Sequence, residues 1–180
     1  VLYRVRPYEK VKGSANQLYD KWVEICKDSL KDGKFSTFNK NIKNIIKEFD
    51  NFEINDIKKP RVGLVGEILV KFHPTANNNV VDVVEREGAE AVMPELINFF
   101  TAWSVNTVFK SDYLEGSKKS KMTAKLVISL ANFYQKTYVK ELKNSKRFRP
   151  PKDIRELAKE TEKVVSIGNQ TGEGWLLTGE

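Results

Sequence analysis

The chain has 180 residues, of which 40% are hydrophobic and 31% charged, a composition that fits one globular domain with or without a helical addition. Its net charge of +7 comes largely from lysines spread along helical stretches, which predicts solvated helix faces and argues against a nucleic-acid partner. No apolar run reaches the roughly 18 residues of a membrane span, so no membrane contact is expected. The single cysteine, Cys26, cannot form a disulfide within the chain, which predicts a reducing cytoplasm. One cysteine and one histidine are too few to hold zinc or an iron–sulfur cluster, so no metal site is expected.

The first 59 residues are typical of a helical segment. Ser14 or Asn16 is suited to cap a first helix, because short polar side chains accept hydrogen bonds from the free amides of a helix start. Helical spacing of apolar residues then predicts two helices. The predicted apolar positions are Leu18, Trp22, Ile25 and Leu30 in the first helix, and Phe38, Ile42, Ile45, Ile46 and Phe49 in the second.

The pattern changes at Pro60, after which residues 61–68 form a short run rich in β-branched side chains, typical of a buried parallel strand. Pro74 disfavours helical backbone at the residue before it, and the asparagines that follow open a helix that Gly88 ends. Residues 89–93 predict a second strand. Together these elements predict a βαβ unit with two parallel strands and a right-handed crossover.

The rest of the chain predicts three further helices and a third strand. The first helix covers residues 96–109, with Ile97, Phe100 and Trp103 facing inward. The second covers residues 121–142, and its predicted inward side chains are Leu126, Leu130, Phe133, Tyr134, Tyr138 and Leu142. Asp153 is suited to cap one more short helix, and residues 164–167 predict the third strand.

These elements predict an α/β fold, a Rossmann-like three-layer parallel sheet with flanking helices, present as a partial domain with extra helices. The expected organisation is a helical segment at residues 1–59 followed by a Rossmann-like domain at residues 60–180. A single compact domain of residues 1–180 is the alternative.

Ligands of parallel sheets gather where the strands end, which directs attention to Glu67 and the loop behind it. A carboxylate at the end of a buried strand is suited to act as a general base or to bind a substrate, and equally suited to anchor the amides of a neighbouring loop. Gly66, like Gly63, lets a ligand or another backbone approach closely. His73 is a weaker candidate acid or base.

Two polar loops are candidate ligand-binding segments. Asn77, Asn78 and Asn79 precede a helix, where free amides are suited to face an anion, although Asn77 acting only as a cap explains them as well. The glycine-rich turn at residues 168–174 supplies three further candidates: Asn169, Gln170 and Gly172. Its composition resembles phosphate-cradling loops, but it matches neither the P-loop nor the dinucleotide-binding pattern.

Several of these segments together resemble one protein family. Residues 60–68, 74–79, 88–90 and 93–95 are similar to the dehydratase-like region of the large CoA-substrate-specific enzyme activases, and residues 2–9 and 168–175 resemble flanking pieces of it. The resemblance implies a parent protein that joins ATP-hydrolysing activase modules to a region like a 2-hydroxyacyl-CoA dehydratase subunit. Such proteins, typical of anaerobic bacteria, use ATP and a [4Fe–4S] cluster to drive an electron towards acyl-CoA dehydration.

The chain departs from the full family pattern, because it has neither the activase phosphate loops nor the cluster cysteines. With Val1 in place of an initiator methionine, it is expected to be an excised middle domain that is inactive alone and binds no cofactor itself. Its expected partners are the absent flanking domains, an acyl-CoA or an electron-transfer protein. The alternatives are a scaffold or interaction domain, and a stand-alone ligand-binding α/β domain that uses Glu67, His73 and the asparagines.

Overall fold

The structure, a computed structural model, describes residues 1–164 and is helix-rich, with one small parallel sheet of two strands. The eight α-helices of the described residues are α1 (Leu2–Val5), α2 (Ser14–Asp32), α3 (Phe35–Asp50), α4 (Ile68–Phe72), α5 (Val80–Arg86), α6 (Leu96–Tyr113), α7 (Lys118–Asn144) and α8 (Ile154–Glu162). The strands are β1 (Arg61–Gly63) and β2 (Glu90–Val92), and a 3-10 turn covers Arg6–Tyr8. The mixed α/β class is therefore confirmed. Among these residues, no helix has an apolar stretch of the length that crossing a bilayer requires.

The chain divides into two compact units. The first unit consists of Val1–Val62, Val81–Val92 and Lys136–Pro150. The second unit consists of Gly63–Val80, Met93–Gln135 and Pro151–Glu180. Each unit has a hydrophobic cluster of its own, and the two are described separately below.

The first unit is built on α2 and α3, and both helices were predicted. Their start and stop are local features: Gly13 and Gly33 take left-handed φ angles of +89° and +62° at the two ends of α2. Because apolar residues recur at helical spacing, one side of each helix faces the cluster. The buried members of this first cluster are Val5, Ala15, Trp22, Ile46, Phe49, Leu142 and Phe148. The predicted apolar stripes of both helices were too long, since Leu30 at the end of α2 is 81% exposed and Phe38 near the start of α3 is exposed too.

The predicted parallel pairing of two strands is confirmed, with the Glu90 amide donating to the Pro60 carbonyl at 2.8 Å. The first strand, however, is shorter and more exposed than predicted, and it ends at Gly63. The backbone turns at Gly66, where φ is +132°, and Glu67 then caps α4 in place of closing a strand. The three residues of β1 are exposed, whereas Glu90 and Ala91 of the partner strand β2 are buried.

The segment between the strands and the stop before β2 follow the sequence reasoning. Helix α4 ends at Phe72, one residue before the position that Pro74 restricts. Gly88, at φ +88°, ends α5 as predicted. Of the predicted third strand, only Val164 is described, and it lies in a turn after α8; residues 165–167 lie outside the described residues.

The second unit is held by a small cluster between three helices. Its buried members are Ala102 from α6, Ile128 from α7, and Ile154, Leu157 and Ala158 from α8. The predicted cap of α8 is confirmed, because the Asp153 carboxylate accepts a hydrogen bond from the Arg155 amide at 2.8 Å. Hydrogen bonds from the Arg155 side chain lower the pKa of Asp153 to about 2, so this cap is charged at neutral pH.

The predicted inward faces of α6 and α7 were wrong for most of their residues, although Ile97 of α6 is half-buried. Phe100 and Trp103 are 56% and 67% exposed, while α6 buries the small or polar side chains Asn98, Thr101 and Ser104 instead. Thr101 is satisfied within its own helix, since its hydroxyl donates to the Ile97 carbonyl at 3.2 Å. Small side chains let a neighbouring helix pack closely, which explains how this face becomes the inner one.

The same correction applies to α7. Four of the six side chains predicted to face inward are exposed, namely Leu126, Leu130, Phe133 and Tyr134. Leu142 is buried as predicted, and Tyr138 packs against the first cluster. In the second unit the inner positions of α7 are Ala124 and Ile128, which lie on the other side of the helix.

Candidate functional site

In the structure, the predicted loop residues form hydrogen bonds with the backbone at helix ends. Glu67 is exposed, and its carboxylate accepts the Val70 amide at 3.0 Å, the geometry of an N-cap. This matches the anchoring role that the sequence analysis left open for Glu67. His73 is exposed as well, and its Nδ1 accepts the Ala76 amide at 3.3 Å. At Gly66 a Cβ would meet no atom of the described residues within 4 Å, so the positive φ explains the glycine and a close approach does not.

The asparagine triplet is engaged by the backbone around it. The Asn77 amide group donates to the Val70 and Lys71 carbonyls, each at 3.0 Å, and its oxygen accepts the Val80 amide at 3.1 Å. Asn78 and Asn79 take left-handed φ angles of +56° and +53°, a conformation that asparagine tolerates better than most residues. Asn77 thus joins the end of α4 to the start of α5. The other predicted candidates, Asn169, Gln170 and Gly172, lie outside the described residues.

A different place in the first unit concentrates charge. A cleft of about 350 Å³ lies beside the 3-10 turn, and it is lined by five cationic side chains and one carboxylate. The cations are Arg4, Lys58, Lys59, Arg61 and Arg147, and the carboxylate is Asp56. We call this the cationic cleft.

The two arginines at the floor of the cleft are organised by one buried glutamate. Glu90 is 1% exposed, and its carboxylate accepts the Tyr8 hydroxyl at 2.8 Å and the Arg61 Nε at 3.1 Å. The Arg4 guanidinium donates to the same carboxylate. A buried carboxylate requires such partners, because an unpaired charge in a low-dielectric interior is costly. Arg4 and Arg61 are thereby held next to each other before any ligand arrives.

Tyr8 belongs to this network as a structural member. Burial raises the pKa of Tyr8, and its hydrogen bond to the Glu90 carboxylate raises it further. The phenol therefore stays protonated and donates to Glu90. The Arg4 guanidinium carbon and the Lys59 Nζ lie 5.8 Å and 6.0 Å from the centre of its ring. These distances are within the range of cation–π attraction, so Tyr8 helps to place both cations.

Two lysines complete the cationic wall. Among residues 1–164, neither Lys58 nor Lys59 lies within ion-pair distance of a carboxylate. The segment that carries them is fixed to the 3-10 turn, because the Asn55 amide donates to the Tyr8 carbonyl at 2.7 Å. Counting Glu90 and Asp56 against the five cations, the cleft has an excess of three positive charges.

Arg147 also lines the cleft, and it is structural as well as cationic. Its guanidinium donates to the carbonyls of Phe49 and Phe52, at 2.7 Å and 2.8 Å. Burial lowers the pKa of Arg147, and the nearby positive charge of Arg4 lowers it further, while Asp50 opposes both effects. Two guanidinium groups that line one cleft and repel each other favour the binding of an anion near them.

Asp50 anchors the loop that carries Arg147. Its carboxylate accepts the Ser145 hydroxyl at 2.7 Å and the amides of Lys146 and Arg147 at 3.1 Å and 3.0 Å. Burial by itself raises the pKa of Asp50, but these hydrogen bonds outweigh it, so the pKa lies below its ordinary value. The charged form of Asp50 is therefore the one that holds the loop.

We expect Asp50→Asn to reduce the free energy of unfolding by about 1–3 kcal/mol at neutral pH, because one of the two acceptor oxygens is lost and with it the charge. Since the folded-state pKa is depressed, this stabilisation is present above the unfolded-state pKa of about 3.9 and is lost as the pH falls through the folded-state pKa. Urea unfolding at about pH 7 and about pH 3 measures it, with the exposed Asp20→Asn as the control. An equal loss at both pH values would contradict the role of the charge.

The cationic cleft was not predicted from the sequence, although the residues that organise it lie in the segments that carry the family resemblance. Arg4, Arg61 and Glu90 belong to three separate motif segments of the chain, and no spacing rule connects positions so far apart. The signal in the sequence was the local basic run formed by Lys58, Lys59 and Arg61, which lies at the boundary between the two predicted segments.

The side chains that line the cleft are suited to bind a ligand. Its cations and the phenol of Tyr8 are donors, and the hydroxyl of Tyr8 is engaged by Glu90. In the part of the chain that the structure describes, no group of three or more histidine, cysteine, aspartate or glutamate side chains is arranged to hold a metal ion. No family model, curated protein or solved structure matches the chain.

Proposed function

We propose that the first unit binds a phosphate-bearing small molecule in the cationic cleft and has no catalytic role of its own. The observation that carries this proposal is the pair of arginines, Arg4 and Arg61, held side by side by the buried Glu90 and joined by two lysines without ion-pair partners among the described residues. A surplus of three positive charges is best matched by an anion with more than one negative charge.

Phosphate fits this arrangement better than a single carboxylate does. Guanidinium groups present paired N–H donors that match the oxygens of phosphate, and lysines add point charges around it. The volume of about 350 Å³ lies within the range of small-molecule sites, which exceeds the space that one inorganic ion occupies. Ile54 and Ile57 also line the cleft and offer apolar contact to the remainder of a larger ligand.

The family resemblance suggests which ligand this is. We propose that the chain is a non-catalytic part of a protein resembling the CoA-substrate-specific enzyme activases and 2-hydroxyacyl-CoA dehydratases, and that the ligand is an acyl-CoA. Coenzyme A carries several phosphate charges next to an apolar chain, which suits a cationic cleft with apolar residues in its wall. In this proposal a cytoplasmic parent protein completes a Rossmann-like sheet, and its other modules supply the ATP-driven electron transfer.

Titration calorimetry of the purified chain with coenzyme A and with pyrophosphate tests the proposal. We expect both to bind, and we expect Lys58→Ala with Lys59→Ala to raise the dissociation constant roughly tenfold through the loss of two charge-assisted contacts. The matched control is Lys43→Ala with Lys47→Ala, which removes the same charge from exposed positions of α3. We also expect salt to weaken binding, because the cleft is open to solvent.

Three outcomes would contradict the proposal. The first is an absence of binding by the unmodified chain. The second is an equal loss of affinity in the two double variants, which would indicate attraction to net charge and not to the cleft. The third is binding of coenzyme A that pyrophosphate does not displace, which would place the ligand elsewhere and leave the cationic cleft without a function.

A further inference from the structure

The part of α7 that belongs to the second unit, residues 118–135, has apolar side chains on two sides. Its inner side is packed, since Ala124 is fully buried and Ile128 is 5% exposed in the cluster of that unit. Successive residues of a helix are turned by roughly 100°, so a side chain two residues from an inner position lies on the opposite side. Met122, Leu126 and Leu130 occupy this outer side, where they are 71%, 67% and 53% exposed.

The outer side chains form one continuous row along the helix. Met122, Leu126 and Leu130 follow each other at intervals of four residues, a spacing at which neighbouring Cβ atoms are about 5–6 Å apart. Phe133, three residues further on and 59% exposed, extends the row. We call these four side chains the outer stripe of α7. The stripe is roughly 16 Å long and lies on a single helix, so its continuity depends on no neighbouring element.

Lysines border the outer stripe, and no carboxylate accompanies them on this part of the helix. Residues 118–135 contain four lysines and no aspartate or glutamate. Lys118, Lys119 and Lys125 are exposed, and none of them lies within ion-pair distance of a carboxylate in the described part of the chain. The fourth lysine pairs with a carboxylate of α6. Lys119 and Lys125 lie three residues before and after Met122, which places one on each side of it. The stripe is therefore an apolar surface with a positive border.

We propose that the outer stripe of α7 binds the surface of a lipid bilayer that contains anionic lipids, with the helix parallel to the membrane plane. A helix that presents apolar side chains between lysines buries those side chains at the boundary of headgroups and acyl chains. The lysine stems then lie along the apolar region while their ammonium groups reach the lipid phosphates. The expectation of no membrane contact rested on the absence of a spanning run, and a helix that lies on the surface requires no such run.

The composition of the border favours a lipid surface over an acidic protein. All four cations of residues 118–135 are lysines, and none is an arginine. Protein–protein interfaces are depleted of lysine and enriched in arginine, whose guanidinium makes directed hydrogen bonds to a partner. A layer of anionic headgroups requires point charges only, which lysine supplies. The outer stripe is also the convex side of one helix, to which a fluid bilayer conforms without a matching groove.

Co-sedimentation of the full chain with lipid vesicles tests the proposal. We expect binding to vesicles of phosphatidylcholine that contain phosphatidylserine, and little binding to phosphatidylcholine alone, because apolar contact and charge act together. Leu126→Ser with Leu130→Ser keeps every charge and should lower the partition coefficient by roughly tenfold or more. Lys119→Gln with Lys125→Gln keeps the stripe and should lower the coefficient on the anionic vesicles roughly tenfold. Circular dichroism establishes that both variants retain their helix content.

Two double variants outside the stripe serve as matched controls. Val11→Ser with Leu30→Ser alters apolar residues of the first unit that are 69% and 81% exposed. Lys43→Gln with Lys47→Gln removes two exposed charges from α3. Both controls should bind the anionic vesicles like the unmodified chain. Pyrophosphate at constant ionic strength should not displace the chain from the vesicles, because the cationic cleft belongs to the first unit.

Four results would overturn the proposal. Failure of the unmodified chain to bind the anionic vesicles would leave the stripe to an acidic protein partner. Unchanged binding after replacement of both leucines would show that charge alone attracts the chain. An equal loss of binding in the two lysine variants would assign the attraction to the net charge of the protein. Displacement by pyrophosphate would place the lipid phosphates in the cationic cleft.

Discussion

Glu90→Ala is expected to destabilise the first unit by about 2–4 kcal/mol, because the substitution removes the common acceptor of a buried network. Tyr8 is 5% exposed and would keep a phenol hydroxyl without a partner. Arg4 and Arg61 would face each other without their counter-charge. Their guanidinium groups are 40% and 61% exposed, so solvent relieves part of this cost, and the expected loss is below that of a fully buried pair.

Glu90→Gln separates the charge from the shape of the side chain. The amide oxygen can still accept from Tyr8, so we expect a smaller loss of stability than with alanine, about 1–2 kcal/mol. If the cationic cleft binds an anion, the loss of the counter-charge also leaves the two arginines less well positioned. The exposed Glu87→Ala is the control, with an expected change within about 0.5 kcal/mol. Equal unfolding midpoints for the Glu90 and Glu87 alanine variants would show that the network does not stabilise the unit.

Phe49→Ala is expected to reduce the free energy of unfolding by about 3–5 kcal/mol, the largest effect that we expect of a single substitution. Phe49 is 1% exposed in the cluster between α2, α3 and the end of α7, so truncation leaves a cavity that a rigid interior fills poorly. The residue also lies beside Asp50, which anchors the loop of Arg147. A collapse around the cavity is therefore expected to disturb the wall of the cleft as well.

Fluorescence of Trp22 provides the measurement, since this indole belongs to the same cluster. Chemical unfolding is followed in a background where Trp103 and Trp175 are replaced by phenylalanine, so that the signal reports on the first unit. Phe35→Ala is the matched control, because Phe35 is 44% exposed and stacks on its neighbour Phe38, with ring centres 5.7 Å apart. If the two variants lose the same free energy, the packing of Phe49 does not hold the unit together.

The local hydrogen bonds of the candidate residues could be predicted from the sequence, whereas the network around Glu90 could not. Asn77 was predicted to precede a helix and Glu67 to end a strand, and the structure places both in hydrogen bonds to helix amides. A cap is a local interaction over three residues, so its partners can be read from the sequence. The network around Glu90 joins positions 4, 8, 61 and 90, and only the folded chain brings these side chains together. The kinship with the activases stays a prediction.

The sequence by itself predicted the longer helices α2, α3, α6 and α7, the short helices α5 and α8, the stop at Gly88, the Asp153 cap and the pairing of two parallel strands. It predicted neither α1 nor α4, and the start of α2 follows Gly13 and not a Ser14 or Asn16 cap. The predicted features follow from periodicity and capping, which act between residues a few positions apart. The tertiary structure alone decided which side of α6 and α7 faces inward and where the charges of the first unit converge. Burial depends on the neighbour against which a helix packs, and α8 meets the side of α6 that carries Ala102, Val105 and Phe109, which leaves Phe100 and Trp103 in solvent.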